Sequence, residues 1–312
     1  MVSMWDEMFS TQDFSVREAL TKRNGKEAFL AMHRILDSVW EECDRVLIDG
    51  GFICINIGDA TRKIDGVFQL YPNYLKVTEF FFQRGYSVLP DIIWHKPSNA
   101  PNKFMGSGML PAGAYVTYEH EHILIFRKGK GREFSPEAKK VRQKSACFFE
   151  ERNAWFSDIW EVRGVQQKLK KSGRSRSAAF PFDIPYRLIS MYSIEGDTVL
   201  DPFGGIGTTV LSAMASQRNS IIMEIDSSVR DSAFSFIEES CVKLNSVIEK
   251  RLRDHALYVE SLSSEKKEKC YRNRPHGFPV KTRQETEIRI DRIESIRRNG
   301  DFFDVGYLLG AK

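Results

Sequence analysis

Apolar residues recur along the chain with two periods, and the periods predict helices and strands. In residues 27–48 they return every three to four positions, which is typical of a helix with one buried face. Gly50 and Gly51 break this helix, and the apolar run Phe52–Ile57 predicts a short buried strand. Residues 70–84 predict a second helix, ended by Gly85.

Two further strands are predicted by the segments YSVLPDIIWHK and HEHILIFRKG. Residues 97–114, between them, are rich in Pro, Gly and Asn and predict an ordered loop. From residue 129 to about residue 179 the periodicity is lost and charge increases. This stretch indicates an insertion rather than core.

Strands and helices alternate in the second half of the chain. IPYRLISMYS and GTTVLSAMASQ predict helices, DTVLDPF and NSIIMEID predict strands, and residues 227–250 predict one long helix. This order is typical of a parallel sheet with helices on its faces, and therefore of an α/β fold. The tail 261–312 is polar and charged, with a helix predicted near residues 285–298.

Composition narrows the class of protein. The 312 residues suffice for one large domain with insertions or for two domains, and 42% hydrophobic content suffices for a sizeable core. No apolar run is long enough for a membrane span, and MVSMWDEMFS lacks a secretory pattern, so we expect no membrane partner and a cytoplasmic protein. The five scattered cysteines favour neither disulfides nor zinc. The HEH triplet at residues 120–122 is expected to be a strand end rather than a metal site.

Positive charge is concentrated in two runs, although the net charge is only +4. Residues 127–144 are strongly basic, and residues 168–176 contain no acid. Such runs form either solvated loops or a face that attracts phosphates. Lysine-rich runs carry little sequence information, so any nucleic-acid contacts there are expected to be with phosphates. The candidates in the second run are Lys168, Lys170, Lys171, Arg174 and Arg176.

The stretch DPFGGIGTTV, residues 201–210, combines a strand end, a glycine turn and a helix start. Gly205 and Gly207 let the backbone turn sharply and approach a ligand, and Thr208 is expected to be the helix N-cap. No Lys-Ser/Thr follows the last glycine, so the turn is not the phosphate-binding loop of an NTPase. The pattern is not G-x-G-x-x-G either, so the turn is not a dinucleotide-binding loop. Asp201 suits an ammonium group. Glu224, 23 residues later at the tip of the next strand, suits ribose hydroxyls. S-adenosylmethionine is an amino acid joined to a nucleoside and carries both features.

The chain closely resembles the β group of DNA amino-methyltransferases in a series of motifs. The cofactor half matches in FP…IPYRLI…GDTVLDPFGGIGTT…IIMEID, and the upstream half matches in DIIWHKPSNAP, YEHEHILIFRKG and DIWEV. The resemblance implies a Rossmann-like S-adenosylmethionine-dependent methyltransferase fold, with a mostly parallel seven-stranded sheet containing one antiparallel strand. It implies a catalytic half at 1–128, a target-recognition insertion at 129–179, a cofactor half at 180–260 and a C-terminal extension at 261–312. The implied cofactor contacts are Phe180, Pro181, Asp201, Pro202, Phe203, Gly205, Gly207, Thr208 and Glu224.

The same resemblance implies a reaction and its partners. Members transfer a methyl group to cytosine N4 or adenine N6 of a base flipped out of double-stranded DNA, without a metal. Lys96 and Asn99, both in the segment WHKPSNAP, are candidate DNA contacts in addition to the basic run. A cognate restriction endonuclease is an expected partner, and the motifs leave the oligomeric state open.

In this family, a Ser/Asp/Asn-Pro-Pro-Tyr/Phe loop holds the target amine. No Pro-Pro dipeptide occurs in the sequence, so we expect the loop to precede Met1 and assign no catalytic residue. Either Met1 is internal to a longer product, which we favour, or the chain is a decayed relative that binds without catalysis. MVSMWDEMFS resembles the segment after Ser-type loops, which favours cytosine N4. An RNA or protein methyltransferase fits the motif order less well.

Overall fold

The computed structural model describes residues 9–96, 105–164, 167–168, 175–176 and 180–308. The chain forms two compact units, Met1–Glu133 and Phe134–Lys312. The four-part division expected from the sequence stays a prediction. Among the described residues, no helix combines the length and the apolar character needed to cross a membrane.

The first unit is built on an antiparallel sheet with a buried central strand. Strand β7 (His120–Arg127) lies between β1 (Phe52–Ile57) and β4 (Ser87–His95) and is antiparallel to both. Its residues 123–126 are buried on both faces, as the continuous apolar run predicts. Helices α1 (Phe14–Thr21), α2 (Gly25–Val46) and α3 (Asn73–Gln83) complete the unit, and α2 and α3 contribute Trp40 and Phe81 to its core.

The predicted helix over 70–84 begins later than expected, because a hairpin precedes it. Strands β2 (Ala60–Ile64) and β3 (Val67–Tyr71) pair around Asp65 and Gly66, which both have positive φ. Two positive φ angles are typical of a two-residue hairpin turn, and Asp-Gly is its common sequence. Pro72 then precedes the first residue of α3. Within the expected ordered loop, β5 (Met105–Gly106) and β6 (Ala114–Tyr115) form a short pair.

The second unit contains the predicted parallel βαβ element. Strands β11 (Thr198–Asp201) and β12 (Asn219–Ile222) pair in parallel, with Asp201 opposite Ile222. Helix α7 (Thr208–Ala215) connects them and packs on α6 (Asp183–Tyr192). These four elements lie where the alternation of the sequence predicted them.

The long helix predicted over 227–250 is wrong in one respect, because it is broken in two. Helix α8 (Arg230–Glu238) and helix α9 (Cys241–Ser261) are separated at Ser240. The Ser240 hydroxyl is buried and donates to the carbonyl of Ile237 at 2.6 Å. This local bond to the backbone competes with the helical ladder.

Part of the stretch expected to be an aperiodic insertion belongs to the core. Residues 129–164 include α4 (Pro136–Lys144), α5 (Phe149–Trp155) and β8 (Ile159–Glu161). Phe148 and Trp160 are almost fully buried, and Phe148 packs in the main cluster of the second unit. Residues 148–160 therefore contribute to the core, and the expectation that this stretch is not core is wrong for them. A role of 129–179 in target recognition stays a prediction.

The helix expected near residues 285–298 is also wrong. After α10 (Ser264–Glu268) and the short pair β13 (Tyr271–Arg272) and β14 (Pro279–Val280), the tail forms a hairpin of β15 (Arg292–Asn299) and β16 (Phe302–Leu308). Gly300, at φ 63°, makes its turn. The polar tail nevertheless contributes buried Ile288 and Ile293 to the same core cluster as Leu211 of α7.

Candidate cofactor site and family

The glycine turn lies at the carboxyl end of β11, where Asp201 anchors it. One carboxylate oxygen of Asp201 accepts the backbone N–H of Phe203 at 2.9 Å. The other accepts the hydroxyl of Thr209, on the first turn of α7, at 2.5 Å. Asp201 therefore joins the strand end to the helix start. Each carboxylate oxygen has a second lone pair that can accept from a ligand.

The turn requires glycine at three positions, for two reasons. Gly205 and Gly207 have φ of +53° and +89°, which side chains disfavour. A Cβ on Gly204 would lie 2.6 Å from the Cβ of Ile222. Gly207 is the residue before α7 and Thr208 is its first residue, so the expectation of Thr208 as N-cap is wrong by one position.

Glu224 closes the site from the neighbouring strand. It follows β12 by two residues, and its two oxygens accept the N–H of Gly205 at 2.9 Å and that of Asp226 at 2.8 Å. The structure thus brings Glu224 onto the same turn that Asp201 anchors. Two carboxylates at the ends of adjacent parallel strands suit a ligand that carries an ammonium group and hydroxyls.

The FPFDIP segment reaches the helix that the turn begins. Pro181 is buried and Phe180 is half-buried, just before α6. The carbonyl of Phe182 accepts the hydroxyl of Ser212, on α7, at 3.4 Å. The segment therefore lies against the helix that carries the glycine turn, as expected of residues around one cofactor.

Exposed apolar side chains flank the two carboxylates. Ile225 is 70% exposed, Met223 is 57% exposed and Phe203 is 48% exposed, whereas Pro202 is half-buried. Exposed apolar side chains beside a polar site suit a flat aromatic ligand. Met223 and Ile225 were not singled out from the sequence, although they flank Glu224 directly.

Comparison with known proteins agrees with this geometry. The DNA methylase family model, for N6 and N4 methylases, matches residues 5–235. The chain belongs to this DNA methylase family. The methylase is 50% identical over 294 residues to the Type II methyltransferase M.MthZI of Methanothermobacter thermautotrophicus, covering 93% of the chain and 81% of that relative. It is 51% identical over 241 residues to the Type II methyltransferase M.MjaI of Methanocaldococcus jannaschii, covering 74% and 79% of the two chains.

A solved structure supports the fold class. The crystal structure of a putative DNA modification methylase of Thermus thermophilus, complexed with S-adenosyl-L-methionine, is 31% identical with a TM-score of 0.55. It covers 66% of the methylase and 76% of the Thermus chain. The Rossmann-like α/β class is confirmed, and the predicted cofactor is the ligand of that protein. The count of seven strands stays a prediction.

In the first unit of the methylase, the candidate DNA contact Lys96 is ion-paired. Its ammonium contacts the carboxylate of Glu121 and lies 4.3 Å from the ring centre of buried Trp94. The other oxygen of Glu121 accepts the amide of Asn56 at 2.7 Å. Lys96 is therefore partly neutralised before any phosphate approaches. Sequence reasoning missed Glu121 and Asn56. Asn56 lies on β1, Glu121 lies on β7 and Lys96 follows β4, so the three side chains meet only after folding.

The HEH triplet begins β7, as expected. His122 contacts Asp91 at 3.0 Å through Nδ1 and stacks on Tyr74 at 4.3 Å. Burial lowers the pKa of His120, with His122 adding to the effect. In the described part of the chain, no three His, Cys, Asp or Glu side chains are grouped so that they could hold a metal ion.

The remaining candidate DNA contacts are only partly described. Lys168 lies in β9 (Gln167–Lys168) and Arg176 in β10 (Ser175–Arg176), and these two strands pair antiparallel. Asn99, Lys170, Lys171 and Arg174 lie outside the described residues. The contribution of this basic run to DNA binding stays a prediction.

Proposed function

We propose that the chain is a site-specific DNA methyltransferase that takes its methyl group from S-adenosylmethionine. The observation that carries the proposal is the pair of carboxylates, Asp201 and Glu224, held by one glycine turn at the ends of adjacent parallel strands. The names of the archaeal relatives and the complex of the Thermus protein support it.

The residues of the turn fit the two polar parts of this cofactor. The free lone pairs of Asp201 accept from the ammonium group of the methionine part, and those of Glu224 accept from the ribose hydroxyls. The apolar side chains of Ile225 and Phe203, both exposed, are available to pack on the adenine ring. When bound, the cofactor supplies an electrophilic methyl group on a sulfonium.

The acceptor is an exocyclic amine of a base in double-stranded DNA, and we favour cytosine N4 over adenine N6. The resemblance of MVSMWDEMFS to the segment that follows Ser-type loops supports cytosine. The DNA contacts that we propose are Lys96, Asn99, Lys168, Lys170, Lys171, Arg174 and Arg176. A cognate restriction endonuclease that cuts the unmethylated site would be the accompanying activity.

The same motifs also suit a second function, the binding of cofactor and DNA without methyl transfer. A relative that binds cofactor and DNA without transferring the methyl group would have the same glycine turn and the same basic run.

Methyl transfer from labelled S-adenosylmethionine to mixed-sequence DNA tests both functions. In the chain extended at its amino end by a Ser-Pro-Pro-Tyr segment, which supplies the loop that holds the target amine, we expect the label in N4-methylcytosine after digestion to nucleosides, and Asp201→Ala should abolish it. Label only in N6-methyladenine would contradict the choice of base. Cofactor binding without transfer in that extended chain would support the second function, and loss of both binding and transfer in the folded chain would contradict both.

A further inference from the structure

A second group of charged side chains lies at the opposite end of the β11–β12 pair, where both strands begin. Glu195 precedes β11 and Arg218 precedes β12, so in a parallel pair they lie at the same edge. They line one small cavity that opens to solvent. The charged lining residues are Lys144, Glu195, Arg218, Arg251 and Arg289.

Two of these cations are already neutralised. The guanidinium of Arg251 forms two bonds with the carboxylate of Glu151, at 2.5 and 2.8 Å. Arg289 lies 3.2 Å from Glu195 and 2.9 Å from Asp291. The only acidic side chain of the described lining, Glu195, is therefore used by Arg289.

Arg218 and Lys144 are the two lining cations that remain. Arg218 donates only to neutral oxygens, those of the Ser193 hydroxyl at 3.0 Å, the Ser193 carbonyl at 2.6 Å and the Ser216 carbonyl. Among the described residues, neither Arg218 nor Lys144 forms an ion pair within 4.0 Å, although the charge of Asp197 acts to raise the pKa of Arg218. Burial lowers the pKa of Arg218 to about 10, and the nearby charge of Arg251 acts in the same direction.

Two residues of the lining, Arg218 and Ser190, have unused hydrogen-bond donors. A guanidinium has five N–H groups, and Arg218 uses three of them in the bonds above, which leaves two. The hydroxyl of Ser190, only 7% exposed, lines the cavity and has no hydrogen-bond partner among the described residues. Buried polar groups are nearly always paired in native proteins, so unpaired donors on a lining with four cations and one carboxylate indicate a missing acceptor.

We propose that this cavity is a binding site for a small oxyanion of the size of phosphate or sulfate. The two remaining N–H groups of Arg218 match two oxygens of a tetrahedral anion, Lys144 supplies a second charge and Ser190 donates to a third oxygen. The site lies at the end of the strand pair opposite the glycine turn. Its ligand therefore does not compete with a ligand of Asp201 and Glu224.

Phosphate binding, measured by calorimetry and by phosphorus NMR at constant ionic strength, tests the proposal. We expect Lys144→Met and Ser190→Ala each to weaken phosphate binding at least about threefold, and Arg218→Met at least about tenfold. Lys140→Met, an exposed position on the same helix as Lys144, is the matched control and should leave the affinity unchanged. If Arg218→Met fails to fold, the other two variants still decide the question.

Equal phosphate affinity in the parent chain, Lys144→Met and Ser190→Ala would overturn the proposal, as would the absence of measurable binding in the parent chain. Glu224→Ala provides a further control, since it changes only the opposite end of the strand pair. We expect it to bind phosphate normally. A clear change of phosphate affinity in Glu224→Ala, with the fold intact, would place the anion at the glycine turn and contradict the cavity. This test does not depend on the cofactor assignment.

Discussion

The two ends of the β11–β12 pair carry opposite charges and satisfy them in opposite ways. At the carboxyl end, the oxygens of Asp201 and Glu224 are held by backbone N–H groups and one hydroxyl. At the amino end, the guanidinium of Arg218 donates to neutral oxygens, and among the described residues it forms no hydrogen bond with a carboxylate. The carboxyl end is thus suited to a cationic ligand with hydroxyls, and the amino end to an anion.

The two ends also differ in how the chain assembles them. The carboxyl end is local, because everything from Asp201 to Asp226 lies in one βαβ element. The amino end takes Lys144 from α4, Ser190 from α6, Arg251 from α9 and Arg289 from the tail. A local site depends mainly on the conformation of one turn, whereas a site built from distant segments depends on the packing of the whole unit.

The largest effect is expected from Asp201→Ala, which should disable the carboxyl end alone. The substitution removes a charged acceptor for the ligand and the anchor of Phe203 and Thr209. At about 1.5–3 kcal/mol for each charged hydrogen bond, affinity for S-adenosylmethionine should fall by about a hundredfold. Calorimetry should show this loss with phosphate binding unchanged. Asp231→Ala, an exposed aspartate on α8, should behave like the parent chain.

The next effect concerns His255, whose ring packs on Phe148 in the core of the second unit, the unit that carries both ends of the strand pair. Its ring stacks on Phe148 at 4.0 Å, contacts Glu150 at 2.8 Å and donates to the carbonyl of Pro279 at 2.9 Å. Burial acts to lower the pKa of His255, but the bonds to Glu150 and Pro279 outweigh it, so the pKa is raised above 6.5. Removing one partner of a buried pair costs about 3–5 kcal/mol, so His255→Gln should lower stability by that order at pH 6.

The sign of the pH dependence follows from the raised pKa. The stabilisation by His255 is complete below the unfolded pKa of 6.5 and is lost as pH rises through the higher folded value. The difference in unfolding free energy between parent and His255→Gln, measured by urea denaturation, should therefore shrink as pH rises above about 6.5. Burial lowers the pKa of His276, so the contribution of that residue to the free energy of unfolding should instead be lost as pH falls. A constant difference for His255→Gln would contradict the charged pair.

A smaller effect is expected from the basic run, which should act on DNA and on neither end of the strand pair. Neutralising Lys168, Lys170, Lys171, Arg174 and Arg176 together should weaken binding to all duplex sequences alike. The slope of log affinity against log salt should become shallower by about 0.9 for each phosphate that is no longer neutralised by the protein. Fluorescence titrations at several salt concentrations measure this slope. If the slope stays the same, the run is a solvated loop.

What could be predicted from the sequence follows the same division between local and distant contacts. The strands β1, β4, β7, β11 and β12 and the glycine turn were predicted, because each depends on apolar runs or turn residues next to each other in the chain. The Asp65-Gly66 hairpin was missed although its turn residues were present. Thr208 was assigned the cap position that Gly207 occupies.

Distant packing explains the larger errors. The tail appears polar because its apolar residues are sparse, yet Ile288 and Ile293 are buried against helices α7 and α9 of the same unit. Phe148 and Trp160 are likewise single large residues in a charged stretch, and only the folded unit shows that they are core. The pairing of Lys96 with Glu121 and the cation cluster around Arg218 could not be predicted, because their members meet only after folding.

The measurement that tests the central claim most directly is a calorimetric titration of S-adenosylmethionine into the parent chain and into Glu224→Ala. The parent should bind one equivalent, and the variant should bind at least about tenfold more weakly, since it loses charged acceptors for the ribose hydroxyls. Glu224→Gln, which keeps one acceptor oxygen for the turn, separates the ribose contact from the support of Gly205. Unchanged affinity in Glu224→Ala, with the circular dichroism of the folded chain, would contradict the assignment of this turn as the cofactor site.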